Sequence, residues 1–182
     1  MRRRLPITPD LQCYVDASHA ADTDTRRSTT GYIFFISGGL VSWRSRMQTT
    51  VALISMEAEY MAASAATQEA LWLTRLLLQL GMRVGLSITL YEDNKYAIMF
   101  ADQPGDYRTT KHIDTKVNFA REAQTHGFIK LVYVPTAEQL ADGMTKDLPF
   151  SLFQSICLDQ NLHQFEFEPH WWCCICNIVY IC

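Results

Sequence analysis

The chain has 182 residues, 48% of them hydrophobic, which is enough for one domain with a core of its own. Its formal net charge is −3, so no overall basic field gathers nucleic acid, and a polyanionic partner must be met by a local basic stripe. Only Cys13 and Cys157 of the six cysteines lie outside the stretch from Cys173 to Cys182, a usage that argues against a secreted disulfide framework and for a reduced compartment.

The basic start, Met1 to Pro6, is followed by polar residues from Thr8 to Gln12 where a signal peptide needs an apolar run. Leu11 to Asp16 alternates, with Leu11, Cys13 and Val15 on one side and Gln12, Tyr14 and Asp16 on the other, and so predicts a strand. Thr30 to Ser37 and Leu40 to Met47 are β-branched and aromatic runs. The Gly38-Gly39 pair between them predicts a hairpin whose turn needs positive φ at its centre. A long helix is predicted from Ser55 to Leu80, with the apolar stripe Ala63, Ala66, Ala70, Leu73, Leu77, Leu80 and a stop at Gly81. Ser87 to Asp93 predicts a fourth strand and Asn94 to Asp102 a short helix, broken at Pro104-Gly105. A helix over about Lys111 to His126 ends at Gly127, and Phe128 to Val134 predicts the fifth strand. Thr136-Ala-Glu-Gln139 has the form of a capping box for a helix running to about Leu148.

The order β-β-β-α-β-α-α-β-α predicts an α/β fold, a mixed sheet with helices on both faces. From about Gln154 the periodicity is lost. The expected organisation is an N-terminal arm over 1–10, a domain over 11–150 and an extension over 151–182. The apolar run from Trp171 to Cys182 is shorter than the roughly 20 residues that span a bilayer. Cys173, Cys174 and Cys176, with His163 and His170, lack the paired C-x-x-C spacing of a zinc site.

Chemistry is carried by carboxylates. The first and fourth strands end alike, Tyr14-x-Asp16 and Tyr91-x-Asp93. Parallel, adjacent strands would converge these two aspartates at their carboxyl ends, where open α/β sheets place their sites. Taken singly, either aspartate is more readily read as the opening of a turn. Continuing the helix stripe backwards reaches Glu59, a charge at the head of a buried face, costly unless paired or metal-bound. Glu57 is expected on the polar side with Met61 and Ser64, where it suits the helix dipole. Asp142 falls on the polar side of its predicted helix, and by pattern alone it is solvated.

The segments RRSTTGYIFF, SWRSRMQTTVAL, MEAEYMAAS, EALWL, YEDNKYAI, RTTKHID and YVPTAEQLADGMTK, in that order, resemble the ribonuclease H domain of copia-type retrotransposon polyproteins, from Tyr14 to about Leu148. The resemblance implies a ribonuclease H-like fold with a five-stranded sheet in the order 3-2-1-4-5, strand two antiparallel to its neighbours. It also implies a metal-dependent endonuclease that cuts the RNA strand of an RNA–DNA hybrid. Its carboxylate order Asp, Glu, Asp, Asp falls on Asp16, Glu59, Asp93 and Asp142, as both catalytic and metal-binding residues. These are hard oxygen donors suited to two Mg²⁺ or Mn²⁺ ions about 4 Å apart. The family's manner has Asp16 bridging both ions, Glu59 and Asp93 holding the first, and Asp142 a looser ligand to the second. The implied partners are the hybrid and a reverse transcriptase domain, with no membrane; the implied location is intracellular, a cytoplasmic retrotransposon particle with access to the nucleus.

The chain departs from the family after the first aspartate, reading Asp16-Ala-Ser-His19 where an acidic residue and Trp are usual. Lys95 replaces a common Gln and Asn118 a common His, and Thr136 sits where cellular ribonucleases H carry a flexible-loop histidine. Arg44, Arg46, Arg108, Lys111 and His112 are candidate phosphate contacts, while Ser55, Asn94 and Lys95 are candidate readers of 2′-hydroxyls or backbone. Two other readings compete. A transposase or integrase places its glutamate last, against the position of Glu59 here. A silent remnant that binds nucleic acid or a reverse transcriptase would need no intact carboxylates.

Overall fold

The structure, a computed structural model, describes residues 9–85, 87–102 and 111–147, with side chains described from 118 onward in the last stretch. The expected extension over 151–182 and Arg108 lie outside the described residues. Five strands form one sheet: β1 (Leu11–Ser18), β2 (Thr29–Ile36), β3 (Gly39–Met47), β4 (Ile88–Glu92) and β5 (Ile129–Tyr133). Their order is β3-β2-β1-β4-β5, as the resemblance implies. β2 runs antiparallel to both β1 and β3, and β1, β4 and β5 are parallel.

The β2–β3 hairpin forms, but its turn lies one residue earlier than the glycine pair predicts. Ser37 (φ 50°) and Gly38 (φ 82°) are the two turn residues, and Gly39 already pairs with Ile36. A two-residue turn between twisted strands needs positive φ at both positions, and Ser37 adopts it despite its side chain.

Helix α1 (Ser55–Gln79) lies on the face of the sheet formed by Cys13, Val15, Tyr32 and Phe34. Small residues make the close approach possible: Ala58, Ala62, Ala63, Ala66 and Ala70 are all buried. Phe34, Val15 and Leu90 are sealed from water, each side chain contributing about 1.5–3 kcal/mol. The stripe ends at Leu77, because Leu80 is 64% exposed at the helix cap. Gly81 (φ 76°) terminates the helix, with Met82 N–H donating to Leu77 and Gly81 N–H to Leu78.

α2 (Lys95–Asp102) follows β4, and α3 (Lys111–Thr125) precedes β5. The helix expected over Thr136 to Leu148 is instead a 3₁₀ turn (Thr136–Glu138) and a separate α4 (Asp142–Thr145). The capping box does not close. Gln139 turns inward and is buried, its amide donating to the carbonyl oxygens of Val15 (2.9 Å) and Tyr91 (3.5 Å). One side chain thereby bridges the ends of β1 and β4, which a continuous helix would not allow.

α4 lies on the sheet face opposite α1, directly over Gly31. A Cβ on Gly31 would stand 2.6 Å from Thr145 Cγ2 and 2.8 Å from Met144 Cβ. Gly31 is also the ladder partner of Asp16, so the missing side chain lets α4 settle against the strand that carries this aspartate.

Candidate active site

The site is built at the carboxyl ends of the parallel strands. Tyr14 and Tyr91 are partners in the β1–β4 ladder, and their rings stack at 4.7 Å. Two residues beyond each lie Asp16 and Asp93, and the start of α1 brings Glu59 to them. One carboxylate oxygen from each of Asp16, Glu59 and Asp93 lies within 4.8 Å of the others. They line a cleft of about 540 Å³ together with Ser18, His19, Ser55, Asn94, Lys95, Tyr96, Tyr133 and Lys146.

These carboxylates stand in a poorly solvated, mutually repulsive arrangement. Asp16 is 1% exposed and Glu59 6%. Burial, then the charges of Glu92, Asp16 and Asp93, push the Glu59 carboxyl up to about 10, with a backbone N–H at Ala17 opposing them. Burial likewise raises Asp16, against the opposing Thr145 hydroxyl and Lys146 ammonium. Glu92, wholly buried beside Asp93, is raised far above the carboxylate range by burial, although it accepts the Asn94 N–H at 3.1 Å. The Oε2 atoms of Glu59 and Glu92 have no hydrogen-bond partner. A buried carboxyl oxygen without a partner, beside two further carboxylates, is the environment that a divalent cation relieves by favouring the ionised form, and hard oxygen donors fit Mg²⁺ or Mn²⁺.

Asp142 stands apart from this trio. Its Oδ1 accepts from Lys146 Nζ at 2.6 Å, and the same ammonium is 3.6 Å from Asp16 Oδ2. The Thr145 hydroxyl donates to Asp16 Oδ2 as well. On the other flank, Thr136 donates to Asp93 Oδ2 at 2.8 Å, so the residue in the place of the flexible-loop histidine is bonded to a candidate ligand. Sequence reasoning missed Gly31, Gln139, Thr145 and Lys146. For Lys146 a signal existed, the Asp142–Lys146 spacing of an i,i+4 ion pair.

Glu57 behaves as an N-terminal helix residue, its carboxylate accepting the Leu53 N–H. Its neighbours correct the expected polar face, because Met61 and Ser64 are buried. α1 is enclosed from Ala58 through Ser64, and half-buried Glu57, just before that stretch, points back along the chain to Leu53.

Of the candidate substrate contacts, Ser55, Asn94 and Lys95 line the cleft. Asn94 caps α2, its Oδ1 accepting from Tyr96 and Ala97 N–H, and the Lys95 ammonium lies 4.4 Å from the Tyr133 ring centre. Arg44 and Arg46 sit on β3, the edge strand, and do not line the cleft; Arg44 is the ladder partner of Tyr32. Lys111 and His112 begin α3, and their side chains lie outside the description. Asn118 is exposed, and His19 shares a 3.2 Å hydrogen bond with the Ala52 carbonyl.

The sheet order and the placement of the helices define a ribonuclease H-like domain. The crystal structure of RNase H1 from the archaeon Halobacterium salinarum covers 75% of this chain and 94% of its own, with a TM-score of 0.51 and 22% identity. LC11-RNase H1, solved in complex with an RNA/DNA hybrid, covers 75% of this chain and 94% of its own, with a TM-score of 0.53 and 15% identity. By sequence, the chain is a relative of copia-type retrotransposon Pol polyproteins. It is 39% identical over 146 residues to the Retrovirus-related Pol polyprotein from transposon TNT 1-94 of Nicotiana tabacum, a match that covers 80% of this chain. The chain spans about a tenth of the length of the curated Pol relatives it matches. No family model matches it. No helix among the described residues is long and apolar enough to cross a membrane.

Proposed function

We propose that this chain is a ribonuclease H that hydrolyses the RNA strand of RNA–DNA hybrids with Mg²⁺ or Mn²⁺. The observation that carries the proposal is the meeting of Asp16, Glu59 and Asp93, drawn from three elements, with the buried Glu59 Oε2 left without a hydrogen-bond partner. Asp16, Glu59 and Asp93 would hold the metal, with Asp142 as a further, looser ligand. Bound there, the ions supply an activated water and stabilise the leaving 3′ oxygen of an in-line displacement. The chain's own residues place the strand. Ser55, Asn94 and Lys95 lie along the cleft within reach of a backbone or a 2′-hydroxyl. Tyr133 supports the Lys95 ammonium, and Thr136 and Thr145 orient Asp93 and Asp16. Residues 11–150 form the catalytic unit, with 1–10 and 151–182 as additions. A reverse transcriptase domain is the protein partner, in keeping with the names of the Pol relatives, and a cytoplasmic retrotransposon particle is the site of action.

A hybrid with labelled RNA tests this. Cleavage confined to the RNA strand, dependent on Mg²⁺ or Mn²⁺ and abolished by Asp16→Asn, is the expected result. One observation favours a second reading, a binding-only remnant: Lys146 occupies Asp142 and neighbours Asp16. Retention of the hybrid without any cleavage would select that reading.

A further inference from the structure

Two lysines line the cleft, Lys95 and Lys146, and among the described residues it is Lys146 whose ammonium pairs with the carboxylates there. Its side chain is exposed (39%), yet the ammonium stands 2.6 Å from Asp142 and 3.6 Å from Asp16. Its position is fixed from below. Gly31 lets α4 lie against β2, the Thr145 hydroxyl ties the same turn to Asp16, and Lys146 N–H donates to the Asp142 carbonyl at 2.9 Å. The three carboxylates of the trio are therefore not equivalent. Asp16 already has a hydroxyl and an ammonium beside Oδ2, whereas Glu59 Oε2 has no partner at all.

We infer that Lys146 is a built-in counter-cation that stands between Asp16 and Asp142 in place of a second divalent ion, so that the chain binds one ion readily and a second only by displacing this side chain. The inference rests on the metal-dependent reading proposed above. An ion at the Glu59 and Asp93 side meets an orphaned oxygen. An ion at the Asp142 side must first break a 2.6 Å charge-assisted bond and then share the space with a positive charge. Lys146 acts here as a positioning residue, setting the order and strength of ion binding.

The test counts ions and does not depend on turnover. Mn²⁺ is titrated into the full chain, and free Mn²⁺ is read by electron paramagnetic resonance while heats are read by calorimetry. Unaltered protein should bind one ion tightly and a second at least about tenfold more weakly. Lys146→Met should bind two, with the second tightened at least about tenfold, since a unit charge beside the ligands of a divalent ion matters that much even at the dielectric of water. Lys146→Arg keeps the charge and should resemble the unaltered protein, and circular dichroism shows whether each variant folds. If Lys146→Met is misfolded, Lys146→Gln replaces it. Equal second-ion affinity in the neutral variant and the unaltered chain overturns the inference while leaving the metal site standing. Asp93→Asn examines that site separately, because loss of its first ion supports the trio. The absence of Mn²⁺ binding in every protein overturns both.

Discussion

Glu59 and Glu57 share a helix turn, a charge and a side-chain length, yet the structure predicts opposite consequences of replacing each by glutamine. Glu59 is 6% exposed, repelled by Glu92, Asp16 and Asp93, with one oxygen unpartnered. Glu59→Gln removes the cost of burying or protonating this acid, so the melting temperature in chelator should hold or rise. Cleavage should fall about a thousandfold, the equivalent of about 4 kcal/mol in barrier height, because an amide cannot offset a metal's charge. Glu57→Gln weakens the carboxylate's bond to Leu53 N–H and its favourable interaction with the helix dipole, about 0.3–1 kcal/mol. Its melting temperature should drop by no more than about 4 °C, with cleavage within a few-fold of normal. Thermal melts in chelator and in Mg²⁺, beside initial rates on a labelled hybrid, give both axes. A Glu59→Gln protein that is destabilised in chelator and still active would refute the reasoning, as would two variants that behave alike.

Gly31→Ala should cost about 1–3 kcal/mol through overpacking against Met144 and Thr145, and should lower cleavage by displacing the turn that steadies Asp16; unchanged melting and rate would show that α4 has room to shift. Stability without metal should fall as pH rises. The Glu59 carboxyl is raised to about 10 in the folded chain, so between the ordinary carboxylate range and that value the folded state binds more protons than the unfolded state and loses its advantage with each increment of pH. Saturating Mn²⁺ should flatten this slope, because an ion then balances the ionised carboxyl; a slope of the opposite sign in chelator would contradict the burial of Glu59.

Periodicity made the sheet legible. The alternation of Leu11, Cys13 and Val15 against Tyr14 and Asp16 is the division between the α1 face and the face under α4, and the paired Tyr-x-Asp endings mark where the parallel strands converge. Other features depend on contacts between distant segments, which no local pattern carries. Gln139 looked like a capping residue because the motif is local, but a buried amide bridging Val15 and Tyr91 satisfies two strand-end carbonyls that a cap would leave unpaired. The polar side assigned to Glu57 vanished because α1 is enclosed from Ala58 through Ser64, which a single amphipathic stripe cannot express. Gly31 reads as an unremarkable strand glycine until α4 is seen above it.

The order of the sheet also divides the proposed metal ligands along the chain. β1, the hairpin and α1 supply Asp16 and Glu59, while β4 onward supplies Asp93 and Asp142, and the link at 82–85 between the halves is largely exposed. Each half carries two carboxylates and no site. Cutting this link would give two pieces that rebuild the proposed metal centre only when β4 docks beside β1, so the hybrid cleavage proposed for the chain would report their reunion.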